Sequence, residues 1–411
     1  MTPATKHRVR AFVLGSAVVL IATTAQAQQA PESTPPEKVA VTKATNEPDD
    51  SSFIDTAREW AKETRIIDRL QGDIDGWYPR LGITRGSGFA IGPGYRTHVF
   101  GDQVLLDVSG ALSYRLYKSF DVRARWVQAW HERAALWTEF RAEDYPQEHF
   151  YGVGPDTTED TRTSYDLHGF DLRVRGEVTP LPWLKTGIVG GYLKPRIGRG
   201  HAPDYPSTDE IFTDVTVPGL LEQPDFVRAE AFVDVDFRDS RGNPTQGGFY
   251  QASYGVWNDH TLDRYDFQRF DGSLTQYLPL TTDHKHVVSG RVNTSFVNNA
   301  SDSRVPFYVL PYIGGHDTVR SFREFRFRDE NAMSFGAEYR WIPLKWVSTV
   351  VFADFGKVGR NWQDMNLSDL KKGYGFGLRA HTAKQTFAKL DFGFGGGEGW
   401  RTFLTVGIPT S

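Results

Sequence analysis

From Val227 to Arg238 the chain changes character at every residue. Val227, Ala229, Ala231, Val233, Val235 and Phe237 are apolar, and Arg228, Glu230, Asp234, Asp236 and Arg238 carry charge between them. A period of two sends successive side chains to opposite faces of an extended strand, so one face is greasy and the other charged. The same split recurs in Phe120 to Trp126, where Asp121, Arg123 and Arg125 alternate with apolar neighbours, and in Ala388 to Phe394, where Lys389 and Asp391 do so. Beyond the N-terminal segment nothing reaches the roughly 18 consecutive apolar residues that a spanning helix needs. Two folds give this period: a soluble β-sandwich that buries its apolar faces, and a transmembrane β-barrel that turns them to lipid. The period alone does not separate them.

Strand number and length do. Candidate strands begin near residues 86, 104, 119, 134, 162, 183, 226, 247, 264, 285, 305, 331, 347, 373, 386 and 401. Their lengths of roughly 9–14 residues suit tilted strands crossing a bilayer, whereas sandwich strands average nearer ~5–6. The expected fold is therefore all-β: a closed antiparallel transmembrane β-barrel of about sixteen strands spanning residues 83–411. Long connections such as Gly198 to Asp225 are expected on the cell exterior, and short ones such as Arg238 to Gly247 at the periplasmic end.

The N-terminus supports a bacterial outer-membrane location. Lys6, Arg8 and Arg10 precede an apolar run from Ala11 to Ala22, and Ala25-Gln26-Ala27 is a small-x-small cleavage site, so residues 1–27 read as a signal peptide. Removing them takes three of 47 basic residues and none of 51 acidic ones, moving the formal charge from −4 to 44 − 51 = −7. An acidic mature chain argues against nucleic acid as a partner. With no cysteine in the sequence, disulfide frameworks and thiolate metal sites are excluded. Residues 28–52, rich in Pro, Glu, Thr and Asp, read as a disordered periplasmic linker. Within residues 53–72, Phe53, Ala57, Trp60, Ile67 and Leu70 fall on one face at helical spacing, giving a short N-terminal amphipathic helix. It is expected to rest at the barrel mouth, with a lumenal plug or a partner-docking helix as alternatives.

Chemistry concentrates in Gly314 to Arg340, where a glycine-led loop holding Arg320, Arg323, Arg326 and Arg328 runs into a strand charged on one face. Asp354 follows on a second strand of otherwise apolar character. An arginine facing Glu338 and Asp354 from a long loop would form charge-assisted hydrogen bonds that pin the loop inside the barrel.

These residues also carry a resemblance. Val319-Arg320-Ser321-Phe322 resembles the Val-Arg-Gly-Phe/Tyr loop motif of the BamA/TamA type of outer-membrane surface antigens, with Ser321 in place of the motif glycine. Glu338-Tyr339-Arg340 resembles the Glu-Tyr-Arg of the following strand, and Phe352 to Gly356 the Phe-x-Asp-x-Gly strand beyond it. Asp236-Phe237-Arg238-Asp239, with Asn243-Pro244 and Gly247, is similar to an Asp-x-Arg-Asp and Asn-Pro-x-x-Gly turn earlier in the same barrels. Asp144 to Asp156 is similar to a loop of members without a periplasmic domain. The resemblance covers Gly76 to Ile408 and implies a minimal branch lacking periplasmic POTRA domains. It further implies insertion or translocation of protein, or lipid passage, with outer-membrane lipid and unfolded outer-membrane or secreted clients as partners.

A physical argument adds a seam. The first expected strand, Arg85 to Tyr95, contains Gly86, Gly88, Gly92 and Pro93, and the last contains Gly407. Proline cannot donate to a ladder and glycine weakens a strand, so the junction of first and last strands would join two poor pairing edges and could open sideways. Glycine and proline that simply end strands at the rim would look the same. A passive porin-like channel and an oligomeric structural protein, including a homo-oligomer, are the alternatives to a transport machine. No nucleophile elbow, zinc-protease motif, phosphate loop or calcium loop is present, so neither catalytic activity, nor a cofactor, nor a metal is expected. His131 beside Glu132, the His284/His286 pair, and Asp144, Glu148 and Asp156 read as rim and loop residues.

Overall fold

The computed structural model describes residues 74–84, 88–129, 133–299 and 303–406. The signal peptide, linker and amphipathic helix expected before residue 73, together with Gly86 and Gly407, lie outside them. Sixteen strands form one antiparallel sheet. They are β1 (Gly76–Thr84), β2 (Gly88–Val99), β3 (Val104–Ser113), β4 (Lys118–Ala129), β5 (Ala134–Phe150), β6 (Thr163–Leu181), β7 (Leu184–Arg199), β8 (Phe226–Asp236), β9 (Gly247–Asp259), β10 (Phe267–Pro279), β11 (His286–Asn299), β14 (Asn331–Leu344), β15 (Val347–Gly359), β16 (Lys371–His381), β17 (Thr386–Phe394) and β18 (Arg401–Val406). Between β11 and β14 runs a long connection whose described residues hold a 3-10 turn (Phe307–Val309) and a two-residue ladder, β12 (Tyr312–Ile313) with β13 (Phe327–Arg328).

The sheet curls until β18 lies beside β1, making a barrel of the expected kind. Among the described residues, the hydrogen-bonded order runs from β1 to β18 with no ladder joining the two.

The alternation works as lipid and lumen require. On β16, Tyr374, Phe376 and Leu378 are exposed on the outer wall, while Gly373, Gly375, Gly377 and Arg379 are buried on the inner one. On β10, Phe270, Leu274 and Leu278 face out. Inner-wall charges pair from strand to strand, as in Arg123 to Glu139 at 2.9 Å and Arg173 to Glu139 at 3.1 Å. Where lumen water reaches them, such pairs contribute only about 0.2–1 kcal/mol each, so they keep the wall neutral more than they stabilise it.

The strand count of sixteen conceals two displacements from the sequence reading. The sheet starts at Gly76, ahead of the expected residue 83, with β1, whose alternation Pro79 and two glycines break. Conversely, no strand begins at 305. Val305, Phe307 and Leu310 are an apolar run, but Pro306 and Pro311 remove ladder donors, and the run buries itself inside the barrel. It joins Phe150, Tyr165, Phe226 and Phe267 from the ends of β5, β6, β8 and β10, and Val217 and Leu220 from the 200–225 connection. This cluster packs the end of the barrel from which the long connections project, with Phe307 in ring contact with Phe150 at 4.8 Å and Tyr165 at 4.9 Å.

The junction of first and last strands therefore falls one strand earlier than expected. Gly88, Gly92 and Pro93 lie in β2, which pairs with β1 on one side and β3 on the other. The glycines admit neighbours: a Cβ on Gly94 would sit 2.2 Å from the Tyr78 ring, and one on Gly92 would sit 1.9 Å from the Gly110 carbonyl oxygen. Weak pairing is nevertheless present at this place, since Pro79 opposes Pro93 and the β2–β3 register passes from Ile91 to Gly94 without a partner for Gly92 or Pro93.

Candidate functional site

The long connection between β11 and β14 turns back into the barrel and lays its tip against the inner face of β14 to β17. Arg320 is at the tip. Its Nε donates to Asp354 Oδ2 at 2.8 Å and its Nη2 to Asp354 Oδ1 at 3.0 Å, a two-pronged grip that the planar guanidinium suits and an ammonium does not. Nη1 donates to Glu338 Oε2 at 3.0 Å, and the Arg320 backbone N–H also reaches Asp354 Oδ2 at 3.2 Å. Arg320, Glu338 and Asp354 are thus in one place, with the Asp354 side chain wholly buried and that of Arg320 only 6% exposed.

Two residues that the sequence did not connect to the loop extend the network. Arg379 on β16 reaches Glu338 at 3.3 Å and Asp391 on β17 at 2.7 Å, while Asp391 lies 3.7 Å from Arg320. With Arg291 3.8 Å from Asp354, three arginines and three carboxylates alternate, so each charge meets the opposite sign. Asp391 stands in an Ala-Lys-Leu-Asp-Phe alternation like any lumen-wall charge, and only its register opposite Gly377 brings it to Arg320.

Glycines make the space. The Phe352 ring lies under the Arg320 guanidinium, 3.4 Å from the carbon to the ring centroid, and occupies the place a Cβ on Gly375 would take. A Cβ on Gly393 would come within 1.8 Å of the Arg320 carbonyl oxygen, and one on Gly373 within 2.7 Å of Ser321 Oγ. Glycine on the inner face of β16 and β17 thus answers one requirement: a loop backbone must touch the wall.

The rest of the motif packs. Val319 and Phe322 are buried with Ile313, Phe327, Ala332 and Val358. Ser321, in place of the motif glycine, donates from Oγ to the Lys372 carbonyl at 2.8 Å and is not among the residues of positive φ; the left-handed positions are Gly314, Gly315 and Phe325. Further along, Arg326 donates to Glu398 at 2.6 Å and to the Thr157 carbonyl at 2.8 Å, and Arg328 to the Phe307 carbonyl at 3.1 Å. The loop is therefore tied to the lumen wall at its tip and to other connections above it. His316 lies between Glu324 and Asp317; burial works against its charge, but hydrogen bonds to these two carboxylates outweigh it and raise its pKa to about 10.

The opposite wall is not filled. A cavity of about 420 Å³ is lined by Arg123, Glu139, Arg173, Arg175, Glu177 and Arg228 among others, and one of about 330 Å³ reaches the loop at Ile313 and Thr318.

Residues 225–401, which include every member of this network, match the Omp85 superfamily domain. The barrel is similar to that of BamA from Haemophilus ducreyi, solved without POTRA domains 1–3, with a TM-score of 0.61 and 13% identity over 82% of this chain and 70% of that one. It is also similar to CdiB from Escherichia coli, with a TM-score of 0.53 and 12% identity over 86% of this chain and 70% of that one. At such identities the likeness speaks for the fold, and no POTRA-like domain lies among the described residues. The chain is an outer-membrane β-barrel of sixteen strands whose residues 225–401 match the Omp85 superfamily domain.

Proposed function

We propose that this barrel acts in insertion or translocation of protein, or in passage of lipid, at the outer membrane, and that the junction of β1 and β18 is the part that opens. The observation that carries this reading is the unpaired junction itself. A closed barrel removes its edges by joining first and last strands. Here no ladder links β18 to β1 among the described residues. An edge strand left without a ladder is a template for another strand, and the adjoining β2 is itself poorly paired at Gly92 and Pro93. The Omp85 domain supports the same class of activity. Arg320, Glu338 and Asp354 then act as a lock that holds the inner loop against the wall while the junction moves.

The absence of cysteine from the sequence gives a clean test. Cysteine pairs scanned along Gly76–Thr84 and Arg401–Val406 should cross-link at registers where the α-carbons stand roughly 4.4–6.8 Å apart. The joined protein should stay folded but lose its cellular activity, with recovery on reduction. A joined protein that keeps full activity would remove the opening junction from the mechanism.

A further inference from the structure

The turn between β8 and β9 does not stay at its own place on the rim. It crosses to the turn between β16 and β17, although four strands, β10, β11, β14 and β15, separate β9 from β16 in the sheet. Ser240 Oγ donates to the Lys384 carbonyl at 3.1 Å, Asn243 Nδ2 to the Thr382 carbonyl at 2.8 Å, and the Thr386 N–H to the Gly242 carbonyl at 3.0 Å. Gly242 and Gln385 pair as an isolated parallel bridge. Asn243 is 4% exposed and His381, beside it at 3.3 Å, 5% exposed, so the contact is packed and not grazing.

The turn is stiff by its own chemistry. Asp239 Oδ1 accepts from the backbone N–H of Ser240 at 2.9 Å and of Thr245 at 2.9 Å, while Oδ2 accepts from the Thr245 hydroxyl. Arg238 grips Asp236 with two hydrogen bonds at 2.8 and 2.9 Å. Gly247 has φ +92°, and a Cβ there would meet the Phe237 carbonyl oxygen at 2.2 Å. The Asp-x-Arg-Asp and Asn-Pro-x-x-Gly pattern thus builds a rigid span.

Arg340 holds the middle of that span. It projects from the inner face of β14, where Nη1 donates to Asn243 Oδ1 at 2.9 Å and Nη2 to the Pro244 carbonyl. Glu338, two residues along the same face, goes to Arg320, so the two charged residues of Glu-Tyr-Arg serve opposite ends of the lumen: one the loop above, the other the turn below.

We propose that the β8–β9 turn is a strap that closes the short-turn mouth of the barrel beneath the inner loop, held by Arg340 and by the β16–β17 turn. The lumen is then reached from that end only along the wall of β1 to β8, where the cavity of about 420 Å³ lies and where β1 meets the junction. This inference rests on geometry and does not depend on which cargo, if any, the barrel moves.

Single cysteines report it directly. Ser289 points inward on β11 between Tyr277 and Glu338, two residues deeper than Val287, the ladder partner of Arg340; Val189 lines the cavity on the other wall. In purified full-length protein in lipid nanodiscs, Ser289→Cys should react with a hydrophilic maleimide at least roughly tenfold more slowly than Val189→Cys, since a covered thiol reacts only through rare local opening. Arg340→Gln and Asn243→Ala should each bring the Ser289→Cys rate close to the Val189→Cys rate and leave the latter unchanged. Equal rates in the native background, or a Ser289→Cys rate indifferent to both strap variants, would overturn the proposal. A second measurement does not require weakening the fold: Ser240→Cys with Lys384→Cys should cross-link efficiently on oxidation and keep Ser289 protected, whereas failure of that pair to join would show that the strap does not cross the mouth.

Discussion

At the scale of single residues, the Arg320 network decides whether the inner loop has one position or many. Removing one partner of a buried ion pair leaves the other charged and desolvated, which costs about 3–5 kcal/mol and less where lumen water reaches the survivor. Arg320→Ala leaves the wholly buried Asp354 with Arg291, 3.8 Å away, as its remaining cation, so the cost falls toward the lower end of that range. Arg320→Lys keeps the charge but not the fork, losing at least one of the two bonds to Asp354 and the stacking over Phe352, for about 1–3 kcal/mol. Urea unfolding followed by tryptophan fluorescence in detergent should therefore rank native above Lys above Ala. Coincident unfolding curves for all three would mean that the pairing does not hold the loop. Sequence exposed Arg320, Glu338 and Asp354 because an arginine on a glycine-led loop and a carboxylate inside an apolar strand both need a partner. It offered Asp391 only as one alternating wall charge and Arg379 not at all, because their charges look like any others on a lumen wall; only register distinguishes them. Arg340 stood in a noted motif, yet its partner lies almost a hundred residues away in sequence, and a turn's direction across a mouth leaves no local signal.

At the scale of elements, β16 and β17 show how much one strand's composition can owe to another's path. Their alternation was legible from sequence, because lipid demands apolar side chains on one face whatever the lumen holds. The reason for glycine on the inner face was not, since it depends on where a distant loop rests. Pattern also misled twice, at β1, where one proline and two glycines hid a strand, and at Val305 to Leu310, where an apolar run served an inner cluster instead of lipid. Gly393 isolates the point. An alanine methyl there would meet the Arg320 backbone carbonyl, with no flexible side chain to yield. Gly393→Ala should lower the melting temperature through about 1–3 kcal/mol of overpacking. The control is Gly190→Ala, where a Cβ finds open space and the reduced freedom of the unfolded chain should leave stability unchanged or raised by up to about 1 kcal/mol. Scanning calorimetry of the two proteins should separate them, and equal melting would show that the loop stands off the wall.

At the scale of the whole molecule, three obstructions stand along a lumen that sixteen strands would otherwise leave as an aqueous channel. The aromatic cluster around Phe307 packs the end bearing the long connections, the loop at Arg320 fills the side under β14 to β17, and the turn at Asn243 spans the short-turn mouth. The first two belong to one segment, the connection between β11 and β14, so they should leave together. Replacing residues 303–330 by a short Gly-Ser link removes Phe307, Arg320 and Arg328 at once while leaving every barrel strand and its register in place. Native protein in planar bilayers should conduct weakly and in brief events, as water threads the cavities beside β4 to β8, whereas the deleted form should open a steady conductance several-fold larger. Arg320→Ala should lie between them, since it frees the tip but leaves the Phe307 cluster packed. The comparison separates a machine from a passive pore. A porin needs its lumen open at rest, so native channels as large and steady as those of the deleted form would place this barrel among pores and leave the loop as lining.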